Sequence, residues 1–413
     1  MFNFALSIIK KHYEMKKIVL FVTILMSAVL SMSAQSKKQP VVTWTTAIQK
    51  VEPHNLPPAP YLAGNSLRQI VEVSFGGEMV SLKLSNQYNT DETEIIGVEL
   101  AKALTQGESP AIDESTTTAL TFNGSRQVTM KPGEIIVSDP VKFRMTDRMD
   151  VAITIHFGKA SRTDVSGHPG SRTSSFIAEG NTNDFSKAVE TTHWCYINSL
   201  IVNAGKKYGS IAVIGNSITD GRGTTTNHQN RWTDNLSKRL LQNKKTKRLS
   251  VLNLGLGGNC VLRGGLGPTA NSRFERDVLD QEGVKYAIVF EGVNDIGGSW
   301  NGEETAKQLI DSFKAMIQKA HAKGIKIYGA TIMPFKGNNY YNESREKGRQ
   351  QVNEWIRTSG EYDGVIDFDA ATRDPQQPDR LNPAFLFEND WLHPNADGYK
   401  VMGDCIDLKL FEK

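Results

Sequence analysis

Four short segments carry residue types that together could move a proton and steady a developing negative charge. Gly215-Asn216-Ser217-Ile218-Thr219-Asp220-Gly221 places a hydroxyl just after a small residue that lets the chain turn sharply. A helix starting there would aim backbone N–H groups at an anion. Thr219 stands where the elbow G-x-S-x-G has its second glycine, and the Lys-Ser/Thr pair of a phosphate loop is missing. Alone, this segment suits a catalytic turn and a structural one equally. Asn253-Leu254-Gly255-Leu256-Gly257-Gly258-Asn259 can bring a backbone N–H close to a bound oxygen, although by itself it reads first as a tight loop. Glu291-Gly292-Val293-Asn294-Asp295 offers a side-chain amide donor. Asp390-Trp391-Leu392-His393 sets a carboxylate three residues before an imidazole, within reach to fix its tautomer. Of the eight histidines, His393 alone has a carboxylate at a spacing suited to a base and its orienter. A lone His-Asp pair is more often structural, so the weight rests on the four segments occurring in order.

The elements that must position these residues fall into two groups. After residue 206, short apolar strands alternate with longer helical stretches. Strands are expected over Ser210–Ile214, Leu249–Leu254, Tyr286–Glu291, Lys326–Thr331 and Gly364–Phe368, and helices over Arg231–Leu241, Glu303–Lys323 and Glu343–Thr358. That grammar predicts an α/β fold, a sandwich around a parallel sheet, whose ligands bind beyond the carboxyl ends of the strands. Three of the four segments follow directly on a predicted strand. Before residue 206, alternation with period two dominates. Val71, Val73 and Phe75 share one face, Gly76-Gly77 turns the chain, and Val80, Leu82 and Leu84 share the next. Val151, Ile153, Ile155 and Phe157 repeat the pattern, and Ile135–Val137 is a shorter run. An all-β sandwich or jelly roll follows, with His156 on a solvated face and residues 158–190, rich in Ser, Thr, Gly and Asn, as surface loops.

The chain has 413 residues, 39% hydrophobic and 23% charged, a globular composition. Its formal net charge of +3 traces to the front. Lys10, Lys11, Lys16 and Lys17 precede an apolar run from Ile18 to Leu30, followed by small residues, the pattern of a secretory signal peptide over residues 1–34. That run falls short of the roughly 20 residues needed to span a bilayer, so no membrane span is expected in the mature protein. Removing those residues takes away four lysines and one glutamate, leaving 44 basic and 44 acidic side chains. A neutral chain argues against nucleic acid as a partner, and the isolated Lys244–Arg248 cluster reads as a solvated helix end. Cys195, Cys260 and Cys405 are too few and scattered for a disulfide framework or a zinc site, and read as buried small apolar residues.

The four segments resemble the four blocks of the SGNH, or GDSL-like, hydrolase superfamily, through V-I-G-N-S-I-T-D-G, G-L-G-G-N, E-G-V-N-D-I-G and D-W-L-H-P-N. Asn65-Ser66-Leu67-Arg68-Gln69, Leu84-Ser85-Asn86 and Ser138-Asp139-Pro140 are similar to the N-terminal β-domain of a subgroup of acyl hydrolases found beside xylan-degrading enzymes. The resemblance implies a three-layer α/β/α sandwich over residues 206–413 preceded by a β-domain over 35–205. It implies Ser217 as nucleophile, His393 as base and Asp390 as its orienter. The backbone N–H groups of Ser217 and Gly258 and the amide of Asn294 would form an oxyanion hole, with neither metal nor organic cofactor. Asn216 departs from the family, which usually has Asp there. A secreted or periplasmic esterase acting on acetylated carbohydrate, such as xylan, or another small ester is the expected activity. A lipase or thioesterase for longer acyl chains and a non-catalytic carbohydrate-binding protein are the alternatives. The loop Phe335–Tyr341 offers sugars aromatic faces and amides, or is an ordinary polar loop.

Overall fold

The computed structural model describes residues 38–412, and the expected leader lies outside the described residues. From Gln39 to Ala204 the alternating segments form antiparallel strands in two main sheets. One orders Gln39–Thr45, Ile197–Ala204, Gly77–Ser85 and Ile135–Val137, with Val141–Met145 also paired to Gly77–Ser85. The other orders Val189–Thr191, Ser175–Ala178, Ser66–Glu72, Asp150–Phe157, Thr93–Ala103 and Ile112–Ala119. Val71, Ile153 and Ile155 of the second sheet share a buried core with Val80, Leu82, Leu84 and Leu200 of the first. Each such side chain removed from water contributes roughly 1.5–3 kcal/mol. Gly76-Gly77 does turn the chain, but it passes it from one sheet to the other. A Cβ at Gly76 would collide with the Met145 carbonyl.

Three expectations need correction. His156 is not on a solvated face: its Nδ1 lies 2.8 Å from Ser66 Oγ, its side chain is largely covered, and burial lowers its pKa. The rest of that same face is buried too, because Ala152, four residues earlier on the strand, joins Ile70, Phe176 and Phe185 in a separate apolar cluster. Residues 158–190 are not simply loops. They include the strands Ser166–His168 and Ser175–Ala178, every residue of which is buried. The hydroxyls responsible for the polar composition are spent on internal hydrogen bonds, such as Ser171 Oγ to the carbonyl oxygens of Thr173 and Thr192. Of the cysteines, Cys195 and Cys260 are buried, but Cys405 is exposed.

Beyond residue 208 the strands run parallel in the order Leu249–Gly255, Gly209–Gly215, Val284–Phe290, Lys326–Ala330, Val365–Ile366. The chain leaves the first strand to one side, then returns to its other side. Right-handed crossovers therefore set helices on opposite faces of the sheet, Trp232–Gln242 packed with Ala396–Cys405 and Gly302–Ala322 packed with Glu343–Thr358. This is the expected α/β/α arrangement, with a last strand much shorter than predicted. The order reverses at Gly209–Gly215, so a crevice opens beyond its carboxyl end. Ser217 sits there.

The β-domain covers the outer edge of this sheet. Ser74 Oγ accepts from the Val251 N–H at 3.1 Å, and the Val42 carbonyl accepts from the hydroxyls of Ser210 and Ser250. Val42 and Ile201 are part of the core of the parallel-sheet domain. An edge that would otherwise expose unpaired backbone groups is thereby closed.

Candidate active site

Gly215 ends its strand without room for a Cβ against the Thr219 side chain, which permits the abrupt passage into the Ser217–Asp220 helix. Asn216 caps that helix, its Oδ1 accepting from the Ile218 N–H at 3.0 Å. Ser217 is thus the first helical residue, its Oγ 2.8 Å from His393 Nε2. His393 Nδ1 lies 2.6 Å from Asp390 Oδ2, while Asp390 Oδ1 accepts from the backbone N–H groups of His393 and Leu392 at 2.8 and 2.9 Å. A carboxylate can only accept, so Nδ1 carries the proton and the Nε2 lone pair faces the hydroxyl. Burial pushes the Asp390 carboxyl up, yet the bonds from His393 outweigh it and hold the group below the usual carboxylate range. The turn that presents this pair has Glu388, Asn389 and Trp391 in the left-handed region, at φ 51°, 55° and 58°. It is locked by the Phe387 N–H donating to the His393 carbonyl at 3.0 Å and by Asn338 Nδ2 donating to the Asp390 carbonyl at 2.7 Å.

Gly258, at φ +65°, turns the loop beyond the second strand. Asn259 fastens that loop by donating to the carbonyls of Leu266 and Pro268, and Asp295 accepts from the N–H groups of Val261 and Leu262, both at 2.9 Å. The amides of Ser217 and Gly258 donate to no other described residue. Asn294 is fixed at both ends: Nδ2 donates to the Asn259 carbonyl at 2.7 Å, and Oδ1 accepts from the Tyr340 hydroxyl at 3.0 Å. One amide hydrogen remains uncommitted. Ser217, Gly258, Asn294 and His393 line a single cavity of about 420 Å³. Among the described residues no group of three or more His, Cys, Asp or Glu side chains could hold a metal ion.

Residues 213–401 match the GDSL-like lipase/acylhydrolase family. This is a GDSL-like lipase/acylhydrolase domain. No curated protein matches the chain. Among solved structures, the acylhydrolase domain is similar to a GDSL-like lipase from Bacteroides thetaiotaomicron, with 19% identity, 50% of this chain and 89% of that one covered, and a TM-score of 0.36. An acetylxylan esterase from Geobacillus stearothermophilus gives 19%, 50%, 95% and 0.37 for the same quantities.

Several residues of this site escaped the sequence reading. Arg273, fully buried, sits beneath the acylhydrolase crevice and donates to the carbonyls of Gly215 and Leu254 and to Asn259 Oδ1, tying two strand ends to the Gly258 loop. Asn216 donates to buried Glu291 at 3.4 Å. Burial drives the Glu291 carboxyl well above its ordinary value, and Arg273, 3.7 Å away with its donors committed elsewhere, offsets this only in part. Tyr340 belongs to the loop Phe335–Tyr341, which the structure uses to brace Asn294 and Asp390. Asp220 is buried and meets His168 and Arg172 of the β-domain at 2.8 and 3.2 Å. The D-G that ends the first block puts Asp220 in view in the sequence. Nothing in the sequence pairs it with residues some fifty positions earlier.

Proposed function

We propose that the protein is an exported serine esterase that removes short acyl groups, acetyl foremost, from polysaccharide such as xylan by two-step acyl transfer. The observation that carries the reading is the hydrogen-bonded series Ser217, His393, Asp390, whose first two members line the same cavity as Gly258 and Asn294. In the first step Ser217 Oγ attacks the ester carbonyl carbon while His393 Nε2 takes its proton. Asp390 stabilises the imidazolium. The N–H groups of Ser217 and Gly258 and the free N–H of Asn294 receive the oxyanion. Collapse expels the alcohol, protonated by His393, and leaves an acyl-serine. Water, deprotonated by the same imidazole, then attacks that carbonyl and releases the acid.

The walls support a polar alcohol. Gln49, Glu52, His54, Thr192 and His193 of the β-domain border the cavity. A second cavity, of about 700 Å³, shares Gly258, Asn294 and Tyr340 with the first and carries fully exposed Trp300, giving a polymer room and an aromatic face beyond the ester. Export rests on the leader pattern of residues 1–34. The test is acetate release from acetylated xylan and hydrolysis of short-chain p-nitrophenyl esters by wild type and Ser217→Ala. The wild type should act on both and be labelled by an organophosphonate, and the variant should do neither. Labelling that survives in Ser217→Ala would point to another nucleophile, and preference for octanoyl over acetyl esters would sink the acetylesterase reading.

A further inference from the structure

The small sheet formed by Gln49–Lys50, Ser166–His168 and Trp194–Cys195 carries the β-domain to the lip of the Ser217 cavity. Its attachment is specific. His168 Nδ1 lies 2.9 Å from the Ala47 carbonyl and Nε2 lies 2.8 Å from Asp220 Oδ1, so both ring nitrogens face acceptors. Arg231 binds the carbonyls of Asp220 and Ser171, and Gly170 packs so closely over the Asp220 carboxylate that a Cβ there has no space. Burial alone would push the Asp220 carboxyl up, but His168 and Arg172 hold it below its ordinary range. Three residues from Ser217, this carboxylate anchors the foreign loop to the nucleophile helix.

Two side chains delivered by that anchor line the cavity with unspent hydrogen-bonding capacity. Arg172, in the left-handed region at φ 53°, uses Nη2 on Asp220 and lines the cavity with a partly exposed guanidinium whose Nη1 meets no acceptor among the described residues, while its Nε is buried. His193 Nδ1 lies 2.7 Å from the Pro169 carbonyl, which fixes its proton there and leaves Nε2 as an acceptor. Burial, only partly offset by that bond, lowers the His193 pKa and keeps the ring neutral. A fixed donor beside a fixed acceptor matches a hydroxyl, which both donates and accepts.

We infer that Arg172 and His193 form a subsite for the alcohol half of the substrate, recognising a hydroxyl next to the esterified oxygen, as in a partly acylated sugar diol. The β-domain is then half of the specificity pocket rather than a separate binding module. This rests on the esterase reading above. Sites built to hydrogen-bond a substrate hydroxyl discriminate strongly against analogues that lack it.

The test compares trans-2-hydroxycyclohexyl acetate with cyclohexyl acetate, which differ by that one hydroxyl, using full-length wild type, Arg172→Met and His193→Ala. Wild type should favour the hydroxy ester in kcat/KM by at least about tenfold, and each substitution should bring the ratio down toward one, mainly through KM of the hydroxy ester. Thermal melts identify a variant that has lost its fold, and either variant suffices. Equal cleavage of the two esters by wild type, or a ratio that survives both substitutions, overturns the subsite while leaving the esterase standing. If wild type cleaves neither these esters nor p-nitrophenyl acetate, the esterase reading itself has failed and the subsite falls with it.

Discussion

Asn294→Ala separates a functional amide from a merely structural one. In the structure the amide makes two bonds, Nδ2 to the Asn259 carbonyl and Oδ1 from the Tyr340 hydroxyl, and one hydrogen is left for the cavity. Truncation therefore has two separable consequences. Losing the third oxyanion donor costs about 10² to 10³ in kcat, or about 2.7–4 kcal/mol of transition-state stabilisation. Leaving the buried Asn259 carbonyl without its donor costs about 1–3 kcal/mol of fold stability. The assay is steady-state kinetics on p-nitrophenyl acetate beside a thermal melt, so that activity is counted per folded molecule. The fall should lie in kcat, with KM little changed, because the donor acts on charge that exists only in the transition state. Tyr340→Phe is the graded control. It frees Oδ1 but keeps the Asn259 bond, so the amide stays roughly aimed and kcat should drop about tenfold or less. An Asn294→Ala enzyme that is folded and within threefold of wild-type kcat would refute the assignment. A drop confined to stability would do the same.

Asp390→Asn should lower kcat on the order of 10⁴-fold, because an amide hydrogen facing His393 Nδ1 forces the other tautomer and turns an N–H toward Ser217 Oγ; a loss below tenfold would show that the carboxylate does not set the tautomer. Glu291 is raised in the fold above its unfolded value, so its contribution to stability is full below about pH 4.5 and is lost as pH rises toward the folded pKa. Glu291→Gln should therefore melt with a flatter dependence on pH above about 4.5, and melts that track the wild type would mean that Glu291 is ionised in the native protein. Asn216→Asp keeps the helix cap but sets a second carboxylate 3.4 Å from Glu291, where two ionised groups at an effective dielectric of 20 repel by about 5 kcal/mol. That pair must hold a proton, so the variant should remain active at neutral pH and lose melting temperature with rising pH more steeply than wild type; an unchanged slope would count against the contact.

What the sequence disclosed follows from how local each signal is. Glu343–Thr358 is a helix with the ends its pattern predicts, because Asn342 caps it and the apolar stripe is complete within it. Gly364–Phe368 shrinks to Val365–Ile366, since a short apolar run does not say how far its neighbour will pair. The Asp390–His393 pair is legible because its bond closes within three residues. The bond from Ser217 to His393 spans the domain and could be expected only through the resemblance of all four blocks. Residues 158–190 misled for the opposite reason. Serines and threonines look solvated when their acceptors are distant in sequence, and Ser174, for instance, is satisfied by Glu190 and Asn227. That hidden segment sets His168 and Arg172 against a buried carboxylate on the nucleophile helix. Breaking such a pair strands an unpaired charge, at a cost of about 3–5 kcal/mol. This contact, one of several that join the domains, therefore also holds the Ser217 helix in place, and neither domain can be moved relative to the other without disturbing the cavity they share.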